Sequence, residues 1–466
     1  MLRPLIQRPR RSARLRPRER GVTMALVALA IVGIIAMAGL SIDIGTLYQA
    51  SAEAQRAADA GALAAARFIS MSGVTGDTTT KPPWVDVCGG TTSPATLVAV
   101  AVAQQNTVGG TTIPIPTVTY STVGTTPNSD CSQNTPAFAV NPLVTVQVTQ
   151  PNLPVYFSRI WGRTGNSVTA TATAEVFNPS NSGSYASGGN LVPVRPRCVK
   201  PWIVPNVDPG NLPGTCTSGC PKFVDLATGS IKTPGIINSG TGVIGEQFNL
   251  VPDCGTSPGN CKGGPGFVNP PAVYSVGNLQ YLPGQVLGTP VAVPSCGNAG
   301  SYQQAVAGCD QSTPYQCGVS GASSPNEIDF TENPGIPTGS GDTYVGAQCL
   351  IHQVNGQDTL VTTAYPYQVQ AGTGNPLRVS SGTVITSTDS IVSLPIYDST
   401  NSLTISGNKA DVNIVGFLQV FINQANADGS LNVTVLNVAG CSNGVSTTAP
   451  YLTGTSPVPI RLITPP

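Results

Sequence analysis

Apolar positions along the chain fall into three regimes. From Gly21 to Ile42 they run almost unbroken, mostly Leu, Ile, Val, Ala and Met, with no charged residue. These 22 residues span roughly 33 Å at 1.5 Å each, enough to cross a ~30 Å hydrocarbon core. The run predicts a transmembrane helix over 21–42, closed by Asp43. From Thr46 to Phe68 the pattern turns amphipathic with no helix breaker between. Ten of the seventeen residues from Ala50 to Ala66 are alanine, the best helix former. Glu53 with Arg56, and Arg56 with Asp59, stand at i,i+3 on one stripe. One long helix is expected, half in the membrane and half projecting from it.

The third regime is short and punctuated. Residues 94–106 (PATLVAVAVAQQN) read as a short helix, 111–122 and 143–149 as strands, and 155–162 as a short helix ending on glycine. In 167–177 (SVTATATAEVF), Val168, Ala170, Ala172 and Ala174 share one face and threonines the other, which predicts a strand. Residues 179–190, rich in Ser, Asn and Gly, form a linker. Beyond it, 199–346 is dense in Pro, Gly and Cys and reads as loops held by disulfides, with one or two helical turns at 303–307. Strands return at 358–364, 383–387, 391–397, 412–422 and 431–438, the last two forming a hairpin with an Asp428-Gly429 turn. The fold class is α+β. A basic tail (1–20) leads into the membrane helix (21–42). The projecting helix and a small α+β domain (43–178), the linker (179–190) and a β-rich, Cys/Gly/Pro-rich domain (191–466) follow.

Charge and cysteine set the compartment. Eight arginines and one glutamate crowd the first twenty residues, and positive charge beside the first apolar segment keeps that end cytoplasmic. Setting the tail aside leaves 14 basic and 21 acidic residues, about −7, which argues against nucleic acid or anionic lipid as a partner of the exported part as a whole. All twelve cysteines lie after the membrane segment: Cys88, Cys131, Cys198, Cys216, Cys220, Cys254, Cys261, Cys296, Cys309, Cys317, Cys349 and Cys441. An even count on the exported side points to disulfides in an oxidising compartment. Cys88 and Cys131 are a candidate pair within the first domain, and Cys254/Cys261 and Cys309/Cys317 are candidate local staples. Cleavage after Ala38, where Ala36-Met37-Ala38 fits a small-x-small signal, is the alternative to a retained anchor.

Candidate chemistry is thin. Residues 240–245 match G-x-G-x-x-G, but Pro252 follows closely and no helix start is readable. Residues 255–259 match G-x-S-x-G, yet Pro258 lacks the N–H that a nucleophile elbow uses. Asp398-Ser399-Thr400-Asn401-Ser402 approximates a D-x-S-x-S metal site with too little chain after it for that fold, and 424–429 resembles half a calcium loop that lacks its glutamate. Both read as turns. A hydrolase would need His352, the only histidine, or a carboxylate pair that the sequence does not single out. The reading is non-enzymatic, with no cofactor or metal. Ala57 and Ala58 are candidate helix-packing positions, because small side chains permit close backbone approach.

Three stretches, Arg18-Glu19-Arg20-Gly21, Ser41-Ile42-Asp43-Ile44-Gly45-Thr46-Leu47-Tyr48 and Gln55-Arg56-Ala57-Ala58-Asp59-Ala60-Gly61, with the apolar run after the first, resemble the N-terminal segment of TadG-like proteins of the bacterial tight-adherence (Flp pilus) system. Residues 154–178 are similar too, less closely, and the long helix leading into a small α+β domain resembles pilin architecture. Pilins cleaved after a comparable glycine carry a glutamate five residues later, and here that residue is Leu26, so the segment is expected to stay uncleaved. The resemblance implies a single-pass inner-membrane protein, N-terminus cytoplasmic and remainder periplasmic. It would scaffold pilus assembly with other pilus-assembly proteins. An exported adhesin or binding module is the alternative.

Overall fold

The computed structural model describes residues 17–76, 82–134, 137–162, 164–178, 194–237, 242–252, 273–286, 296, 300–308, 315, 317, 326–329, 341–363, 365–401, 403–406, 409–441, 452–454 and 456–463. Helix α1 (Pro17–Met71) is continuous over 55 residues, roughly 82 Å at 1.5 Å per residue. Proline at its first position is tolerated there, and Gly73, at φ +81°, turns the chain just past its end. Among the described residues this is the one helix long and apolar enough to cross a membrane. Its apolar half is bare: Leu29 and Met37 are 70% and 67% exposed. Its second half carries a buried stripe, Ala50, Ala54, Ala57, Ala58, Ala62, Ala65, Ala66 and Ile69, at i,i+3/i+4 spacing.

That stripe lies on an antiparallel sheet. Its strands run in the order 460–463, 166–176, 143–153, 117–121. Val144, Val146 and Val148 stand opposite Ala174, Ala172 and Ala170 on the buried face. On the other face Thr145 meets Thr173 at 2.9 Å and Thr149 meets Thr169 at 3.2 Å, the cross-strand pairing expected of a threonine row. Helix α2 (Pro82–Cys88) leads to helix α3 (Pro94–Gln104), which packs along α1, and Gly61 sets the spacing. A Cβ there would lie 3.0 Å from the Ala99 carbonyl oxygen and 3.2 Å from Ala103 Cβ. The strand expected at 111–122 is broken in two, 111–112 and 117–121, around Pro114 and Pro116. Residues 158–161 form a 3₁₀ turn closed by Gly162 in the left-handed region.

Residues 460–463, assigned to the C-terminal domain by sequence, pair with 173–176 and complete this first sheet. An ion pair between half-buried Arg461 and buried Glu175 holds them: Arg461 Nε donates to Glu175 Oε2 at 3.0 Å, and Asn141 Nδ2 donates to the other oxygen.

The second body is a closed barrel. Strands 202–205, 391–397, 414–425, 431–440, 247–252 and 278–283 follow one another, and 278–283 closes back onto 202–205. Two of the contacts, 202–205 with 391–397 and 247–252 with 278–283, are parallel. Trp202, Tyr281, Leu394, Leu418, Val433 and Val435 belong to its core. The hairpin turn at 426–430 carries Gly429 at φ +82°. Helix 342–350, which packs on helix 301–307, had no readable sequence signal. The two bodies are joined at the top of α1, where Asn437 Nδ2 donates to the Ser70 carbonyl at 2.7 Å and Asn178 Nδ2 to that of Val438 at 2.9 Å. The Tyr365 hydroxyl also donates to the Ser72 carbonyl.

The disulfides described are Cys88–Cys131, Cys216–Cys220, Cys296–Cys349 and Cys317–Cys441. The pairing of Cys309 with Cys317 is therefore corrected: Cys317 bonds a cysteine 124 residues away, because residue 317 lies beside strand 414–425 and Cys441 leaves the next strand there. Cys198 is also disulfide-bonded. Cys254, Cys261 and Cys309 lie outside the described residues.

Candidate functional site

The site that joins anchor to domain is built on Asp43. The backbone amides of Tyr156, Phe157 and Ser158 converge on its carboxylate: Tyr156 N to Oδ1 at 3.0 Å, Phe157 N to Oδ2 at 3.2 Å, Ser158 N to Oδ2 at 2.7 Å. The charge-assisted bond from Ser158, followed by those from Tyr156 and Phe157, holds the Asp43 carboxyl below its ordinary range and outweighs the opposing effect of burial. One turn lower, Gly39 faces the Phe157 ring, and a Cβ at residue 39 would stand 2.5 Å from its Cγ. Gly39 and Asp43 thus clasp loop 154–158 onto α1. The sequence showed Asp43 as the end of an apolar run; its partners, more than 110 residues away, carried no signal. Further up, Glu53 Oε2 accepts from the Gly109 amide at 2.8 Å, and Gln55 Nε2 donates to Asp59 Oδ1 at 2.8 Å. The expected Glu53–Arg56 and Arg56–Asp59 contacts are not among the described ion pairs. Ala57 and Ala58 are both fully buried beneath the sheet and α3.

An apolar groove of about 450 Å³ lies between α1, α3 and the barrel body, lined by Phe68, Met71, Leu97, Tyr367, Val369 and Ile385. A second cleft holds His352 and Asp389, whose Nε2 and Oδ2 are 3.4 Å apart; among the described residues no hydroxyl or thiol bonds that ring. Gly242 lies where a Cβ would meet Gly235 at 2.2 Å, and the strand 247–252 follows, so the described part of the G-x-G-x-x-G match is a tight crossing that opens no helix. The G-x-S-x-G match lies outside the described residues. Asp398 Oδ1 accepts from Thr400 N and Oγ1, and Asp428 Oδ1 from Ser430 N and Oγ, which makes both acidic motifs turns. No group of three or more metal-ligating side chains occurs among the described residues.

A carboxylate pair does exist. Asp208 and Glu246 are 0% and 2% exposed, and Asn211 Nδ2 donates to both. Burial, with the neighbouring Asp208 carboxylate, pushes Glu246 up to about 9. An acid whose folded pKa is raised favours folding fully below its unfolded value and loses that contribution as pH rises toward 9. Lys200, buried with its ammonium on the Val306 and Gly308 carbonyls, is pulled by burial down to about 7 and acts in the opposite sense above that pH. Between pH 5 and 7 the Glu246 effect stands alone of the two. Glu246→Gln is expected to flatten the pH dependence there by about 2 kcal/mol, read as the urea midpoint at each pH. An equal slope in both proteins sinks the assignment of this pH dependence to Glu246.

Residues 21–67 match the family described as Flp pilus-assembly TadE/G-like. This segment is TadE/G-like. The match spans the bare apolar half of α1, the Asp43 clasp and the alanine stripe, and it supports a pilus-assembly role for the chain. No curated protein and no solved structure matches the chain. The first half of the TadE/G-like segment is thus long and apolar enough to cross a bilayer, and its second half forms the spine of the first domain.

Proposed function

We propose that this protein is a non-enzymatic scaffold of Flp pilus assembly. It would be anchored once in the inner membrane, N-terminus cytoplasmic, with both folded bodies in the periplasm and contacting other pilus-assembly proteins. The observation that carries this reading is the TadE/G-like segment itself, one helix whose apolar half is bare except where Phe157 covers Gly39 and whose alanine half is the core of a sheet domain. Arginines at the start and bonded cysteines beyond the span favour that orientation. Deleting the gene is expected to abolish surface pili, with complementation restoring them and the protein fractionating with the inner membrane. Normal pilus counts in the deletion strain overturn the reading.

Orientation has its own test. Cys88 and Cys441, the natural first choices for labelling, are 0% and 7% exposed and report poorly on the folded protein. Cys220 is half-buried, and its bond to Cys216 closes a short surface loop. After mild reduction, an impermeant thiol reagent is expected to reach Cys220 in intact spheroplasts. Labelling only after lysis refutes export. The second reading, an exported binding module, is favoured by the apolar groove between the bodies. Intact protein released to the cell exterior supports it against the scaffold.

A further inference from the structure

The uncharged run from Gly21 to Ile42 is flanked below by Arg18, Glu19 and Arg20, which belong in the headgroup layer. A ~30 Å hydrocarbon core measured upward from Gly21 takes about 20 residues of helix and ends near residue 41. The folded domain does not begin above that level. Phe157 packs on Gly39, and the amides of 156–158 close on Asp43, so loop 154–159 sits beside α1 at the boundary itself. The loop has the chemistry of that layer. Tyr156 is 58% exposed and Tyr48, on the adjoining turn of α1, is 75% exposed; Arg159 is also exposed. Tyrosine rings with one apolar and one wet end favour headgroup depth, and an arginine there meets lipid phosphate. Three backbone donors that would need partners at this depth are already satisfied by the Asp43 carboxylate.

We infer that loop 154–159 is a second membrane contact, a collar held by Asp43 in the phospholipid headgroup layer, which fixes the height and tilt of the first domain over the bilayer. The inference rests on the anchor reading of α1. An anchor alone would leave α1 and the domain packed on it free to tilt together in the bilayer; a collar makes a two-point footing.

The test uses the full chain reconstituted in phosphatidylethanolamine–phosphatidylglycerol vesicles. A photoreactive benzophenone amino acid replaces Tyr156, or Val354 as control. Val354 is 80% exposed and follows His352, which lines the same cleft as Arg67, roughly 42 Å up the helix from Gly39. Irradiation is expected to give a phospholipid adduct at 156 at least about tenfold above that at 354, since the height difference exceeds the whole headgroup layer. Asp43→Ala is expected to bring the yield at 156 down toward the control while leaving the protein carbonate-resistant. Carbonate-resistant protein with no excess adduct at 156 overturns the collar and leaves the anchor standing. Protein extracted by carbonate overturns both. Full adduct yield in Asp43→Ala overturns the clasp.

Discussion

Replacing Ala57 and Ala58 together by leucine is expected to destabilise the first domain by about 2–6 kcal/mol, from ~1–3 for each overpacked site. Both side chains are fully buried where α1 lies on strands 143–153 and 166–176 and on α3. One turn on, a Cβ built at Gly61 would stand 3.0 Å from the Ala99 carbonyl oxygen, so lifting the helix to make room would open this close contact. Leucine is nearly as good a helix former as alanine, so α1 stays helical and its apolar half still inserts. The urea midpoint of the detergent-solubilised protein should fall while carbonate resistance is kept. Ala52→Leu, on the exposed side of the same helix, should change stability by no more than about 0.5 kcal/mol. Unchanged stability in the double variant would mean that the alanine half is a spacer and not a core. If the scaffold reading holds, pilus counts fall in the double variant and not in the control.

What could be read in advance was what local pattern encodes. The long helix was legible because an apolar run and an alanine stripe both persist over many turns. The 166–176 strand was legible because Ala and Thr alternate, and the 414–425/431–440 hairpin because Asp428-Gly429 marks its turn. Three barrel strands, 202–205, 247–252 and 278–283, were hidden in a stretch read as loops. Trp202, Ile203, Val204 and Pro205 are all buried, so no in-out alternation exists to be seen, as is usual for short strands covered on both sides. Closure of the barrel depends on two parallel contacts between strands distant in sequence, which no turn chemistry announces. The same holds for strand 460–463, whose place in the first sheet is fixed by register with 173–176 and by Arg461 reaching buried Glu175. In the site, Asp43 was visible as a boundary and invisible as a clasp, because backbone amides leave no mark on residue type.

Cysteine spacing failed for a related reason, and the bond it missed carries the larger consequence. Cys317–Cys441 closes a separation of 124 residues, against 4 for Cys216–Cys220. In the chain-entropy account, a closed loop of that length restrains the unfolded state by about 5 kcal/mol and the short one by about 2. Cys441 sits in a cluster with Ile203, Ile414 and Phe417 on the outside of the barrel, and Cys317 lies against it. Removing the pair as Cys317→Ala/Cys441→Ala is expected to cost about 2–5 kcal/mol, and Cys216→Ala/Cys220→Ala clearly less. Urea midpoints under non-reducing conditions read both, and intact-mass measurement of alkylated samples verifies which bonds persist. Reductant should bring the wild type down to or below the 317/441 variant. If the two pairs cost the same, restraint of the unfolded chain is not what this bond supplies, and its contribution is the packing around Cys441. If protein taken from cells carries free thiols at 317 and 441, the chain has not matured in an oxidising compartment, and the periplasmic placement of the barrel falls with it.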